Sequence, residues 1–187
     1  MPSADSLRET KSPINIEISR RVLSVAPSVT LAIAAKAAEM QAAGLKVVSL
    51  SAGEPDCDTP EFIKEAAITA LRKGQTKYTP AIGTLELRKA IAAKLQRDQN
   101  LTFPPSQIIV STGAKHSIFN ILFALLNESD EVLIPSPFWL SYPEMVAVLG
   151  GKSIFLETHE ATDFKLTPSI LKKGLNAKTK VLILNSP

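Results

Sequence analysis

The sequence has few of the residues that build cross-links and metal sites. Its 187 residues include one cysteine, Cys57, and two histidines that lie far apart. A single cysteine excludes an intramolecular disulfide, and so few sulfur and imidazole ligands argue against a zinc site. A chain without disulfides suits a reducing compartment, so we expect a cytoplasmic protein.

Long apolar runs and an excess of charge of one sign are also lacking. No stretch approaches the ~20 apolar residues that a membrane helix requires, and the first residues lack the apolar core of a signal peptide. Twenty-one Lys and Arg against 18 Asp and Glu leave a net charge of +3, which is too small to indicate a nucleic-acid-binding surface. The remaining composition, 45% hydrophobic and 21% charged, is typical of a globular chain.

The order of the predicted elements favours an α/β fold. Helices are predicted over residues 29–40, 61–73 with Thr59 as N-cap, 116–126, 142–149 and 168–173, and around the apolar positions Leu87, Ile91 and Leu95. Strands are predicted over residues 46–50, 107–112, 131–135, 152–156 and 180–184. Because nearly continuous apolar strands alternate with helices, we predict a mainly parallel sheet with helices on both faces.

The two ends of the chain differ in character. Residues 1–18 are polar and carry two prolines, which predicts a flexible N-terminal arm. Residues 185–187 directly follow a predicted buried strand. Parallel sheets bind ligands beyond the carboxyl ends of their strands, so we expect this chain to be a fragment of a longer fold, cut where a site would be completed.

A candidate anion-binding segment lies between the predicted strand at 107–112 and the helix that follows it. Gly113, Ala114 and Lys115 would present backbone amides at a helix N-terminus, where the helix dipole and the lysine charge favour a phosphate. The alternative is a glycine that merely permits a tight turn. The segment is neither a Walker A motif nor a dinucleotide-binding GxGxxG motif.

Three further residues lie on predicted loops. Trp139, the only tryptophan, could stack on a flat cofactor beside the anion-binding segment, or it could fill the core. Gly53 allows a backbone to approach a ligand, although a turn glycine would look the same. The Tyr78 phenol could reach a phosphate. Cys57 lies between two acids, which do not activate a thiol, and the histidines are interpreted as surface or packing residues.

Four segments in one order resemble the pyridoxal-phosphate-dependent class I aminotransferases. They read Ser51-Ala-Gly-Glu-Pro-Asp-Cys-Asp-Thr-Pro60, Lys77-Tyr-Thr-Pro-Ala-Ile-Gly83 with Leu87-Arg-Lys-Ala-Ile91, Ser111-Thr-Gly-Ala-Lys115, and Pro137-Phe-Trp-Leu-Ser-Tyr-Pro-Glu144. The pattern is most similar to the bacterial-type aspartate aminotransferases, a group that includes the plastid aspartate/prephenate enzymes. The resemblance extends from about residue 19 to residue 187.

The resemblance implies the N-terminal half of the fold type I architecture. Residues 19–50 would form part of a small domain and residues 51–187 the first part of a large cofactor-binding domain, in a homodimer when complete. The implied reaction moves an amino group between an amino acid, aspartate or glutamate, and a 2-oxo acid through a Schiff base of pyridoxal phosphate. The alternatives are an inactive or regulatory fragment, or an aromatic or alanine aminotransferase of the same fold.

The resemblance also implies roles for single residues. The amides around Gly113, Ala114 and Lys115 would hold the cofactor phosphate, and Trp139 would stack on the cofactor ring. Tyr78 would contact the phosphate of the other subunit's cofactor, and the Gly53 backbone would contact the substrate carboxylate. Thr30 and Lys115 match positions that are linked to the use of prephenate as a substrate. No catalytic residue is expected within the chain, since the Schiff-base lysine would lie beyond Pro187.

Overall fold

The computed structural model describes residues 17–51 and 53–186. The predicted N-terminal arm lies almost wholly outside the described residues. Contacts divide the chain into two compact units. One, the helical unit, is Pro27–Ile121, and the other, the sheet unit, combines the chain up to Ala26 with Leu122–Pro187. The predicted boundary between a small and a large domain at residue 50 stays a prediction.

The sheet unit contains a three-stranded parallel sheet in the order β2-β1-β3. Its strands are β1, Glu131–Ser136; β2, Lys152–Glu157; and β3, Thr179–Leu182. In the register of the sheet, Val132 of the central strand lies between Ser153 and Val181. The prediction of parallel strands at 131–135, 152–156 and 180–184 is confirmed.

The core of the sheet unit is centred on β1. Val132, Leu133 and Ile134 are completely buried. Successive side chains of a strand point to opposite faces, so both faces of β1 are covered, as the uninterrupted apolar sequence predicts. Burying each of these side chains contributes about 1.5–3 kcal/mol.

Three helices belong wholly to the sheet unit: α1, Arg20–Leu23; α6, Ser141–Val148; and α7, Pro168–Gly174. Helix α6 buries Tyr142, Met145 and Val146. Helix α7 begins where the Thr167 hydroxyl accepts a 3.3 Å hydrogen bond from the Ile170 amide, and it ends at Gly174. A Cβ at position 174 would lie 2.5 Å from Leu156 Cδ2, so glycine permits the close approach of α7 to β2.

The helical unit is built from four helices: α2, Val29–Ala42; α3, Glu61–Arg72; α4, Leu85–Gln99; and α5, Gly113–Leu125, whose residues from Leu122 on belong to the sheet unit. Ser28 and Thr84 accept hydrogen bonds from the first turns of α2 and α4. These are the hydroxyl caps expected at helix N-termini. All the predicted helices are therefore present, with shifts of a few residues at their ends.

Two predicted strands and one predicted cap are wrong. Residues 46–50 and 107–112 are outside every strand of the structure. Val48 and Leu50 are 85% and 92% exposed, and β-forming side chains make a strand only where a neighbouring strand pairs with them. The N-cap position of α3 is Pro60 and not Thr59, and it has no side-chain capping hydrogen bond. The Thr59 amide donates to Asp58 Oδ1.

Within the described residues, every helix falls short of the length and apolarity needed to cross a membrane.

Candidate functional site

The predicted anion-binding segment is the first turn of α5. Gly113 has a φ of +78°, a conformation that L-residues with a Cβ adopt only at a cost. Its amide donates a 2.9 Å hydrogen bond to the Ser111 carbonyl. A Cβ built at Gly113 meets nothing within 4 Å. The glycine therefore makes the sharp entry into α5 possible and leaves open space above the helix start.

The donors at this helix start are the amides that follow Gly113. The first N–H groups of an α-helix point out of its N-terminal end, where the helix dipole is positive, and Ala114 and Lys115 lie in this first turn. The first turn of α5 contains no acidic side chain, and the Lys115 side chain is exposed. Amide dipoles and the lysine charge therefore favour the same ligand, a phosphate group, and the segment fits a phosphorylated cofactor.

His116 holds the loop that leads into α5. Its Nδ1 accepts a 3.1 Å hydrogen bond from the Thr112 amide, so the neutral ring carries its proton on Nε2. The Ser117 hydroxyl donates to the Gly113 carbonyl at 3.5 Å. The histidine was interpreted from the sequence as a surface or packing residue. It is exposed, but it also fixes the backbone that immediately precedes Gly113.

Trp139 lies on the loop between β1 and α6 in the sheet unit. It is 39% exposed. Its indole packs edge to face against the Tyr142 ring, with the ring centroids 5.5 Å apart and an interplanar angle of 83°. The neighbouring Phe138 is the packing residue of this loop, since its ring stacks on Phe155 at 5.0 Å.

Tyr142 and Asn185 were missed by the sequence reasoning. The buried Tyr142 donates a 2.8 Å hydrogen bond from its hydroxyl to Asn185 Oδ1. Asn185 lies three residues beyond the last residue of β3. No helical spacing signalled the contact with Trp139, because Trp139 lies on the loop before α6, Ser141–Val148. The partner in Asn185 could not be inferred, because it depends on the sheet order.

The other predicted site residues lie on separate segments of the helical unit. Tyr78 is fully exposed. Gly53 is exposed, with open space beyond its Cα. Thr30, in the first turn of α2, has its hydroxyl 3.0 Å from that of Ser28. The predicted grouping of Trp139 with the α5 segment joins residues of different units and stays a prediction.

The charged groups whose pKa values are shifted take part in ion pairs and in hydrogen bonds with backbone amides. At the start of α3, Glu61 and, to a lesser extent, Asp58 raise the pKa of Lys64 through hydrogen bonds. The same lysine, with the Thr59 amide, lowers the pKa of Asp58. Lys64 lies 2.9 Å from each of the two carboxylates, so it stabilises the helix start and is not a candidate base.

Across the part of the chain that the structure describes, no three His, Cys, Asp or Glu side chains are grouped so as to hold a metal ion.

Comparison with protein-family models gives one family. The model described as "Aminotransferase class I and II" matches residues 45–187. The match includes both the start of α5 and the Trp139 loop. It leaves out α1 and α2, which lie before residue 45.

Curated relatives give the same result over more of the chain. The aspartate aminotransferase of Bacillus subtilis is 49% identical over 172 residues, which are 92% of this chain and 44% of that protein. A bifunctional aspartate aminotransferase and glutamate/aspartate-prephenate aminotransferase of Petunia hybrida is 48% identical over 95% of this chain and 37% of its own length. The chain thus spans less than half the length of these relatives.

The solved structures agree with the sequences. The Thermus thermophilus aspartate aminotransferase with maleate superposes with a TM-score of 0.89 at 44% identity, covering 92% of this chain and 45% of that one. The aspartate aminotransferase of Rhizobium meliloti gives a TM-score of 0.87 at 42% identity. The described residues therefore have part of the fold of these enzymes, and the predicted fold class is confirmed.

Proposed function

The chain belongs to the class I and II aminotransferases, and we propose that the complete protein transfers an amino group between an amino acid and a 2-oxo acid with pyridoxal 5'-phosphate as its cofactor. The family match over residues 45–187 carries this proposal. It is supported by the start of α5, where a left-handed glycine, a first turn without acidic side chains and a lysine favour a phosphate.

Each of the chain's site residues has a proposed task. The amides of Ala114 and Lys115 bind the cofactor phosphate, and Gly113 sets the backbone direction that aims them. The Trp139 indole covers one face of the cofactor ring and excludes water from it. Tyr78 contacts the phosphate in the other subunit of a homodimer.

The substrate contacts are proposed on the same basis. The Gly53 backbone binds the substrate carboxylate, and its exposed position with nothing beyond Cα leaves room for a ligand. Thr30 lies on the first turn of α2, where its hydroxyl is already oriented by Ser28. With Lys115, it would serve the recognition of prephenate.

When bound, pyridoxal phosphate supplies the electron-withdrawing ring that makes proton removal from the amino-acid Cα feasible. The chain's own residues bind and orient that ring and its phosphate. We propose that the lysine that forms the Schiff base lies beyond Pro187. In this proposal Lys115 belongs to the phosphate site, and the other lysines of residues 17–186 are surface residues without a part in that step.

Aspartate or glutamate is the proposed amino donor. The relatives from Bacillus subtilis and Thermus thermophilus are named aspartate aminotransferases, and the Petunia hybrida relative also carries prephenate in its name. We further propose that the protein is a homodimer and works in the cytoplasm, the compartment that its single cysteine suits.

Amino-donor profiling of the complete, cofactor-loaded protein tests the proposal. Aspartate, glutamate, alanine and phenylalanine are offered in turn with a fixed 2-oxo acid, and the new amino acid is quantified. The proposal predicts that aspartate or glutamate gives the highest kcat/KM. A higher value for alanine or phenylalanine would assign a different substrate class to the same fold, and no product from any donor would refute amino transfer.

A further inference from the structure

We propose that Tyr142 is a positioning residue that sets the orientation of Trp139, and that Asn185 anchors it in this role. Tyr142 would hold the indole ready for a cofactor ring, and this purpose rests on the proposed function. The geometry itself involves only three residues of the sheet unit.

The first step is the contact between the two rings. An edge-to-face pair with centroids 5.5 Å apart and an angle of 83° is a preferred aromatic geometry. The Tyr142 amide also donates a 3.1 Å hydrogen bond to the Trp139 carbonyl. Tyr142 is buried, whereas Trp139 is 39% exposed. The fixed ring is therefore the tyrosine, and the indole is oriented against it.

The second step is the anchor of the tyrosine itself. Its hydroxyl donates a 2.8 Å hydrogen bond to Asn185 Oδ1. The backbone before Asn185 is joined to the central strand, because the Ile183 amide donates to the Leu133 carbonyl at 2.9 Å. Leu133 is fully buried. The hydrogen bond thus connects α6 to the chain that leaves the sheet beside its central strand.

The third step concerns why the residue is a tyrosine. Phenylalanine would supply the same ring edge to Trp139, so packing alone does not require the hydroxyl. A hydroxyl in a buried side chain needs a partner, and an unmatched one is costly. The pair with Asn185 fixes the tyrosine ring at both ends, at its backbone and at its hydroxyl, and restricts the rotations open to the adjacent indole.

The test uses Trp139 as its own reporter, since the 187-residue chain contains one tryptophan. Acrylamide quenching of the emission is measured without cofactor for the parent, Tyr142→Phe, Asn185→Ala and the double variant. Losing one hydrogen bond should change the ratio of oriented to displaced indole roughly two- to tenfold. We therefore expect each single variant to raise the quenching constant, and the double variant to raise it no further than the singles.

Asn176→Ala is the matched control. The Asn176 side-chain Nδ2 donates a 2.6 Å hydrogen bond to Glu131 Oε2, at the opposite end of β1 from Trp139, and its Oδ1 accepts one from the Lys178 amide. This variant loses two side-chain hydrogen bonds of the same unit, so it measures general loosening. The inference is overturned if Tyr142→Phe and Asn185→Ala have the same quenching constant as the parent. It is also overturned if Asn176→Ala raises the quenching constant as much as they do.

A second titration separates this inference from the proposed function. Pyridoxal phosphate is added to the complete protein and to its Tyr142→Phe variant, and the change in the cofactor's own absorbance gives a dissociation constant. A roughly two- to tenfold weaker binding by Tyr142→Phe is expected, and equal binding would overturn the positioning role. If the complete parent protein does not bind pyridoxal phosphate, the proposed function fails, while acrylamide quenching still decides whether Tyr142 orients Trp139.

Discussion

The backbone amide of Ala26 donates a 3.0 Å hydrogen bond to Oε2 of Glu144, a residue 118 positions further along the chain. Ala26 is the last residue of the N-terminal part of the sheet unit, and Glu144 lies in the first turn of α6. One carboxylate therefore fixes the end of the segment that contains α1 on the helix that follows the Trp139 loop.

Glu144→Ala should lower the free energy of unfolding by about 1 kcal/mol, since a hydrogen bond to a charged acceptor contributes more than a neutral one but this pair is partly exposed. Glu144→Gln keeps an acceptor oxygen and should recover much of the loss. Urea denaturation of the parent and both variants measures the difference. Equal stability of the parent and Glu144→Ala would show that the bond contributes nothing.

Gly83 and Val110 offer a second test, because a Cβ at position 83 would lie 2.6 Å from Val110 Cγ2. Gly83 also has a φ of +93°. Gly83→Ala should therefore cost about 1–2 kcal/mol for the backbone and about 1–3 kcal/mol for the overlap. Combining it with Val110→Ala removes the Cγ2 overlap but leaves Val110 Cβ 2.8 Å from the added atom, so the second change should recover only part of the second cost.

Gly113→Ala is the control for this pair. Its φ of +78° carries a similar backbone cost, but the added Cβ meets nothing within 4 Å. Its loss of stability should be the smaller of the two, as measured by urea denaturation. If the two variants are equally destabilised, the overlap with Val110 is relieved at no cost and the expected difference is absent.

Asp130 should make the sheet unit sensitive to acid. The Asn127 amide, which donates a 2.8 Å hydrogen bond to Asp130 Oδ2, and secondarily the Lys180 charge lower the pKa of Asp130 in the folded protein. A lowered pKa stabilises the folded state above the unfolded pKa of about 3.9, and this contribution is lost as the pH falls from there through the folded pKa.

Asp130→Asn keeps the acceptor oxygen for the Asn127 amide but does not titrate. Its stability should therefore fall less steeply than that of the parent below about pH 4. Urea midpoints measured across this pH range give the comparison. Asp163→Asn is a suitable control, since Asp163 forms an exposed ion pair with Lys165 and such pairs contribute little. Parallel curves for the parent and Asp130→Asn would contradict the assignment.

Trp139→Ala should weaken pyridoxal phosphate binding in the complete protein. A lost stacking contact is worth roughly 0.5–1.5 kcal/mol beyond the buried area, and the lost burial adds to it, so a tenfold or greater rise in the dissociation constant is expected. Trp139→Phe should recover most of the affinity. If Trp139→Ala melts early yet binds the cofactor like the parent, the indole is a packing residue and not a cofactor contact.

The sequence was most informative where local chemistry determines the structure. The apolar run of β1 predicted a strand buried on both faces, and Val132, Leu133 and Ile134 are completely buried. The turn at Gly113 was predicted because few other residues tolerate its backbone angles. The helix predicted over residues 29–40 agrees with α2, Val29–Ala42, to within two residues.

The errors arose where structure depends on distant partners. Residues 46–50 have the composition of a strand, but pairing decides whether a strand forms, and their neighbours could not be derived from composition. The bond between Tyr142 and Asn185 required knowing that β3 lies beside β1. The Ala26–Glu144 bond likewise joins segments whose proximity no local pattern encodes.

Isotope transfer tests the proposed amino transfer most directly. The complete protein, saturated with pyridoxal phosphate, is incubated with ¹⁵N-labelled aspartate and unlabelled 2-oxoglutarate, and the products are identified by mass spectrometry. The proposal predicts ¹⁵N-glutamate and oxaloacetate in equal amounts, formed only when pyridoxal phosphate is present. Folded, cofactor-saturated protein that leaves all the label on aspartate, and transfers none from glutamate in the reverse assay, would contradict it.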